Sequence, residues 1–222
     1  MTIAEKLAGV RSRIDAACAH AGRPPDSVSR VGVSKGFDAD AIAAAYEAGL
    51  RDIGENRVQE AVEKIETLSA RGITPRWHLI GHLQTNKAKT AAERFAIIQS
   101  VDSQRVAEAL SRAAVASLPV LLEVNVAEEA SKYGFTPEEV APALSAIAAL
   151  PHLDVRGLMT VAPLTGQPET VRPVFRRLRE LRDALGLQEI SMGMTNDFEV
   201  AIEEGATMVR VGRAIFGDRP GA

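Results

Sequence analysis

The chain is poor in cysteine: Cys18 is the only one among 222 residues. A single thiol excludes an intrachain disulfide and fits a reducing compartment. Cys18 adjoins the apolar face marked by Ile3, Leu7, Val10, Ile14 and Ala17, so an N-terminal helix with a buried structural cysteine is expected rather than a reactive thiol. Apolar runs long enough to cross a bilayer are also missing, and the start Met1-Thr2-Ile3-Ala4-Glu5-Lys6 lacks a signal-peptide stretch. The expectation is a cytoplasmic chain with no membrane partner. Charge is balanced, with 26 basic against 29 acidic residues and a net charge of −3, so no field favours nucleic acid. His78 and His82 fall on a predicted strand, where histidines four apart do not form the helical zinc pair, and no cysteine or carboxylate cluster completes a metal site. The arginines at 172, 176, 177, 179 and 182, interleaved with Glu180 and Asp183, read as a solvated helix face.

What the chain does contain is a regular alternation. Strand patterns occur at Arg30–Lys35, Arg51–Glu55, Arg76–Leu83, Ala96–Asp102, Pro119–Val126, Leu153–Val161, Glu189–Met194 and Met208–Arg213. Between them run helical faces such as Val58, Ala61, Val62, Ile65 and Leu68. Glycines close helices before strands at Gly49 and Gly205. With no linker, low-complexity tract or shift in composition, residues 1–222 are expected to form one domain. Alternating strand–helix units imply parallel strands, and eight of them in this length predict an α/β fold, a single (β/α)8 TIM-type barrel with an extra N-terminal helix. An open doubly wound sheet is the alternative, but the first strand is not followed by a Gly-x-Gly-x-x-Gly turn.

Barrel closure would bring strand eight beside strand one and place Lys35, Thr195 and Gly212 on the C-terminal rim, where sites of this fold lie. Lys35 shares parity with Val31 and Val33. Alone it would be a solvated strand-end lysine; beside an anion grip it becomes a candidate for a Schiff base. Met192-Gly193-Met194-Thr195-Asn196-Asp197 and Val209-Arg210-Val211-Gly212-Arg213 offer that grip through backbone N–H groups and the Thr195 hydroxyl. Asn196 and Glu199 also have the spacing of a capping box, with Asp197 expected to point away from a phosphate. Arg210, on an apolar strand, needs either a structural salt bridge, to Glu123 or Glu55, or a ligand atom such as a ring nitrogen. The ligand that combines an imine with a phosphate grip is pyridoxal 5'-phosphate (PLP).

Several segments resemble one family: Val33-Ser34-Lys35, Gly54-Glu55-Asn56-Arg57-Val58-Gln59-Glu60, Trp77-His78-Leu79-Ile80-Gly81-His82-Leu83-Gln84-Thr85-Asn86-Lys87, Ser131-Lys132-Tyr133-Gly134, Arg156-Gly157-Leu158-Met159, Met192-Gly193-Met194-Thr195 and Arg210-Val211-Gly212-Arg213-Ala214-Ile215-Phe216-Gly217. In order and over nearly the whole chain, they are similar to the pyridoxal phosphate homeostasis protein family (YggS/PROSC-like). The resemblance implies a barrel like the N-terminal domain of alanine racemase and a Lys35 aldimine. It further implies phosphate contacts from Thr195, beside Met194, and from the backbone of Gly212 and Arg213. Arg210 would stand near the pyridine nitrogen, with Asn56 and His78 close to the ring. It also implies a monomer that carries or buffers PLP in vitamin B6 homeostasis, with apo forms of PLP enzymes as partners. Three positions depart from the family pattern: Gly36 replaces a threonine, Thr195-Asn196-Asp197 replaces Ser-Asp-Asp, and Arg213 replaces a small hydroxyl residue.

Two other classes compete with a carrier. A PLP-dependent amino-acid racemase would need a second base opposite Lys35. Racemases take it from a further C-terminal domain, which the stretch after Gly217 is too short to form. A cofactor-free Schiff-base aldolase would use Lys35 and the phosphate grip but leaves the family motifs unexplained. The expectation is therefore a cofactor carrier with no catalytic residues.

Overall fold

The computed structural model describes residues 1–129 and 132–218; Ser131 of the Ser131–Gly134 motif lies outside them. The first helix, α1 (Ile3–His20), starts where its sequence dictates. Thr2 caps it, its Oγ1 accepting from the Glu5 N–H while the Glu5 carboxylate accepts from the Thr2 N–H, so two orphan donors are satisfied reciprocally. Leu7, Val10, Ile14, Ala17 and Cys18 are buried on its inner face. Burial also raises the Cys18 thiol pKa, which makes it a structural residue.

The strands β1 (Ser29–Val33), β2 (Asp52–Glu55), β3 (Arg76–Leu79), β4 (Ile97–Val101), β5 (Leu118–Glu123), β6 (Leu153–Met159), β7 (Glu189–Ser191) and β8 (Met208–Val211) form a closed parallel barrel in sequence order. Closure pairs Val31 with Arg210 and Gly32 with Val211. The helices α2 (Ala39–Glu47), α3 (Val58–Ser69), α4 (Ala88–Arg94), α5 (Gln104–Ala113), α6 (Val140–Ala148), α7 (Arg172–Ala184), α8 (Phe198–Glu203) and α9 (Arg213–Phe216) complete the alternation. This is the predicted (β/α)8 barrel, and the open sheet is excluded.

The main apolar core lies between barrel and helices, where Ile42, Ile53, Leu79, Leu110, Leu122, Phe175 and Phe198 pack. Inside the barrel the apolar cluster is small: Ile97, Leu121, Met159 and Met208, with Val161 against it. Barrels of this class usually fill the lumen with branched apolar side chains. Here much of that space is polar, because Asp52, His78, Gln99, Ser191 and Arg210 are buried and bonded to one another.

The strands are shorter than their apolar runs suggest. β1 ends at Val33, β7 at Ser191 and β8 at Val211, so Lys35 and Met194 stand in loops and Arg213 opens α9, none of them on a strand. The arginine run on α7 is only partly a solvated face. Arg172, Arg176 and Arg179 converge on the buried carboxylate of Glu204, at 3.3, 3.0 and 3.0 Å, tying α7 to the end of α8. Spacing along one helix cannot reveal a partner on another.

A candidate cofactor site at the C-terminal rim

Lys35 lies in a tight turn directly after β1. The Phe37 N–H donates to the Ser34 carbonyl at 3.0 Å, and Gly36 has φ +78°. A turn with positive φ at its third residue is of the kind that favours glycine, which Gly36 supplies. The turn delivers Lys35 into a cavity of about 510 Å³ at the strand ends.

Lys35, Met194, Thr195, Arg210, Gly212 and Arg213 all line this cavity, with Val33 and Phe37 as its apolar wall. Strand closure brings them together although they are distant in sequence. Gly212 packs closely on the wall: a Cβ there would stand 3.2 Å from the Val33 carbonyl oxygen, so the backbone would have to give by a few tenths of an ångström to admit a side chain. Asn56 and His78 do not line the cavity. Asn56, just past β2, carries a buried Oδ1 without a hydrogen-bond partner among the described residues. Such an orphan acceptor is costly unless a ligand or water meets it.

His78 lies below the cavity floor, and its place there explains the polar lumen. Arg210 donates from Nη1 to Ser191 Oγ at 2.6 Å, and Ser191 donates to Gln99 Oε1 at 2.7 Å. Gln99 Nε2 donates to His78 Nδ1 at 2.8 Å, and His78 Nε2 donates to Asp52 Oδ1 at 2.9 Å. Every donor points the same way, from the guanidinium at the cavity to the carboxylate at the barrel's other end. The amide can only donate to Nδ1, which leaves the proton on Nε2 of a neutral His78. Burial pushes the Asp52 pKa up, but the hydrogen bonds from His78 and Arg76 and the charge of Arg76 outweigh it, and Asp52 stays below the usual carboxylate range.

Arg210 also donates to the Thr160 carbonyl at 2.6 Å. It forms no ion pair within 4 Å among the described residues, so the expected structural salt bridge to Glu123 or Glu55 is absent. Glu55 lies on the opposite strand parity from Asp52, faces the helices, and pairs with Lys64 instead, at 2.7 Å. Burial lowers the Arg210 pKa to about 10, against the charges of Glu123 and Asp197, which still leaves it cationic at neutral pH. Glu123, at the end of β5, is raised to about 7 by burial and by the charge of Asp102, with Arg210 and His82 acting the other way. Next to it His82 bonds Asp102 at 2.6 Å and stacks on Tyr133 with ring centroids 4.0 Å apart.

The loop after β7 differs from expectation. No Asn196–Glu199 capping box forms: the Asn196 Oδ1 accepts from Arg213 at 3.0 Å, and Glu199 pairs with Arg13 of α1 at 2.6 Å. Stronger charged donors from other elements take both side chains. Asp197 is buried with Oδ1 on the Met194 N–H at 2.6 Å, where it shapes the loop from within and also lines the cavity. Burial raises its pKa despite that bond and the charge of Arg210. Arg213 is exposed but does not stand alone; it ties the start of α9 to the loop after β7.

Sequence reasoning missed Ser34, Glu60, Lys64, Gln99 and Ser191, whose roles arise from contacts between elements. The motif Gly54–Glu60 was the available signal for Glu55 and Glu60. Among the described residues no group of three or more His, Cys, Asp or Glu side chains is placed to hold a metal, and no helix is long and apolar enough to cross a membrane.

As donors the cavity offers a lysine amine, a buried guanidinium, a threonine hydroxyl and an exposed arginine, beside a glycine wall. This set fits an aldehyde-bearing aromatic phosphate. Comparison with known proteins agrees. Residues 7–220 match the family described as alanine racemase, N-terminal domain. The pyridoxal phosphate homeostasis protein of Aquifex aeolicus is 43% identical, over 99% of both chains. That of Pseudomonas aeruginosa is 45% identical, over 98% of this chain and 96% of its own. The structure of PipY from Synechococcus elongatus with PLP bound superposes with a TM-score of 0.84 and 39% identity, covering 97% of this chain and 100% of that one.

Proposed function

Because this chain belongs to the family of pyridoxal phosphate homeostasis proteins, we propose that its rim cavity holds PLP through Lys35 and that the protein carries or buffers the cofactor. It is a PLP-binding protein of vitamin B6 homeostasis. The observation that carries the residue-level reading is the convergence of Lys35, Arg210, Thr195 and Gly212 on one cavity. When bound, PLP supplies an aldehyde that a lysine amine can hold covalently and a ring that can withdraw electrons.

Each residue has a distinct task in this reading. Lys35 is the covalent anchor. Thr195, Met194 and the backbone of Gly212 and Arg213 hold the phosphate. Arg210 meets the ring nitrogen as a permanent cation, so that nitrogen stays unprotonated and the ring is a weak electron sink. Asn56 offers its orphan oxygen at the site's edge, and His78 acts from below through Gln99, Ser191 and Arg210. The weak sink and the relatives named for homeostasis support a carrier without useful turnover; in this reading it acts as a monomer in the cytoplasm with apo PLP enzymes as receivers. Residues 1–222 act as one domain in this reading.

Slow PLP-dependent amino-acid chemistry is a second reading, and one observation favours it: Glu123, titrating near 7, ends the strand opposite β1 in the closed order. The spectrum of purified protein tests the main proposal. A visible band that disappears on borohydride treatment, leaving a pyridoxyl group on Lys35, is expected. A pyridoxyl group only on another lysine would refute it.

A further inference from the structure

We propose that Glu55, Glu60 and Lys64 form a clamp that fixes the turn carrying Lys35 and so sets where its amine stands, an inference that rests on the reading of Lys35 above. Strand pleat turns the Ser34 side chain away from the cavity and toward the helices, where it is fully buried. There Ser34 Oγ donates to Glu55 Oε1 at 2.6 Å, and Lys64 Nζ donates to the Ser34 carbonyl at 2.9 Å. On the other side of Lys35, the Gly36 N–H donates to Glu60 Oε1 at 2.6 Å. Lys64 closes the clamp by donating to Glu55 and Glu60, each at 2.7 Å. Both chain neighbours of Lys35 are thus held from behind, while its side chain lines the cavity in front.

Stability alone is a poor reason for this arrangement. Glu55 is 0% and Lys64 8% exposed, and desolvation of such a pair offsets most of its attraction, so apolar residues would serve a core as well. What the charges add is direction. Lys64 spends its three donors on three oxygens, the Ser34 carbonyl and the two carboxylates that grip the turn. The Glu60 carboxylate stays below its usual range, burial being outweighed by the bonds from Lys64 and Gly36, so it remains an ionised acceptor for the Gly36 N–H. Displacement of a reacting group by about 1 Å lowers its effectiveness by about a hundredfold. A long lysine on a loose turn would invite that loss. The clamp also assigns a task to the Gly54–Glu60 motif, of which only Asn56 had one.

The test compares Ser34→Ala and Glu60→Gln with wild type. In the apo-protein, hydrogen exchange at the Gly36 amide should speed up about tenfold, the scale of one lost bond to a charged group. In the PLP-loaded protein, loss of the visible band on dilution into a phosphatase trap should quicken by about tenfold, with the borohydride adduct still on Lys35. Leu110→Ala, a core change in α5, is the control for general destabilisation and should leave both rates unchanged under native conditions. Wild-type rates of exchange and release in both variants would overturn the clamp. A wild-type adduct on a different lysine would overturn the Lys35 reading, while Gly36 exchange, measured without cofactor, still reports on the clamp.

Discussion

The Arg210 guanidinium donates to the Ser191 hydroxyl at 2.6 Å, and this bond joins the cavity to the unidirectional donor chain ending at Asp52. Arg210 is therefore oriented by the barrel interior rather than by a carboxylate partner. Removing the hydroxyl in Ser191→Ala leaves a buried guanidinium N–H and the Gln99 oxygen unpaired. We expect a loss of about 1.5–3 kcal/mol in folding stability and a weaker PLP complex. Urea unfolding and fluorescence titration with PLP measure the two, and wild-type values for both would mean that the chain does not orient Arg210.

The phosphate grip should depend on backbone more than on side chains. Thr195→Ala is expected to weaken PLP binding by about 0.5–1.5 kcal/mol. Gly212→Val should be far worse, since its side chain would press on the Val33 carbonyl 3.2 Å from the Cβ position. Affinities unchanged in both variants would place the phosphate elsewhere.

Glu123 should give the apo-protein a specific pH response. Below the ordinary carboxylate value of 4.5 it is protonated in folded and unfolded chains alike. Between that value and about 7 the unfolded chain ionises while the buried group resists, so stability falls across this window as pH rises. The effect amounts to roughly 3 kcal/mol at most. Glu123→Gln should remove it, so the urea midpoints of the two proteins should diverge between about pH 5 and about pH 8. A constant difference between them would mean that Glu123 titrates normally.

Turnover of amino acids should be slow. With L- and D-amino acids in deuterated water, the PLP-loaded protein is expected to show no racemisation near the roughly 1–10³ s⁻¹ typical of enzymes. Rapid inversion that disappears in Lys35→Ala would establish an enzyme and overturn the carrier reading. Loss of a slow α-proton exchange in Glu123→Gln would identify Glu123 as its base.

Alternation of apolar strand and helix patterns was enough to determine the barrel, because parallel strands need crossovers and eight such units close on themselves. Closure in turn made Lys35, Thr195, Arg210 and Gly212 legible as one site, since strand ends share a rim. The partners of the polar groups were not legible. Strand period states which face a side chain takes but not which of seven other strands or the surrounding helices it meets. Glu55 turned out to face Lys64, and Arg210 to face Ser191 and Thr160. The Gln99 contact with the Met208 sulfur joins residues 109 positions apart. Only the closed barrel decides such pairs, because a buried polar group must find its partner among whatever the tertiary packing places within hydrogen-bond reach.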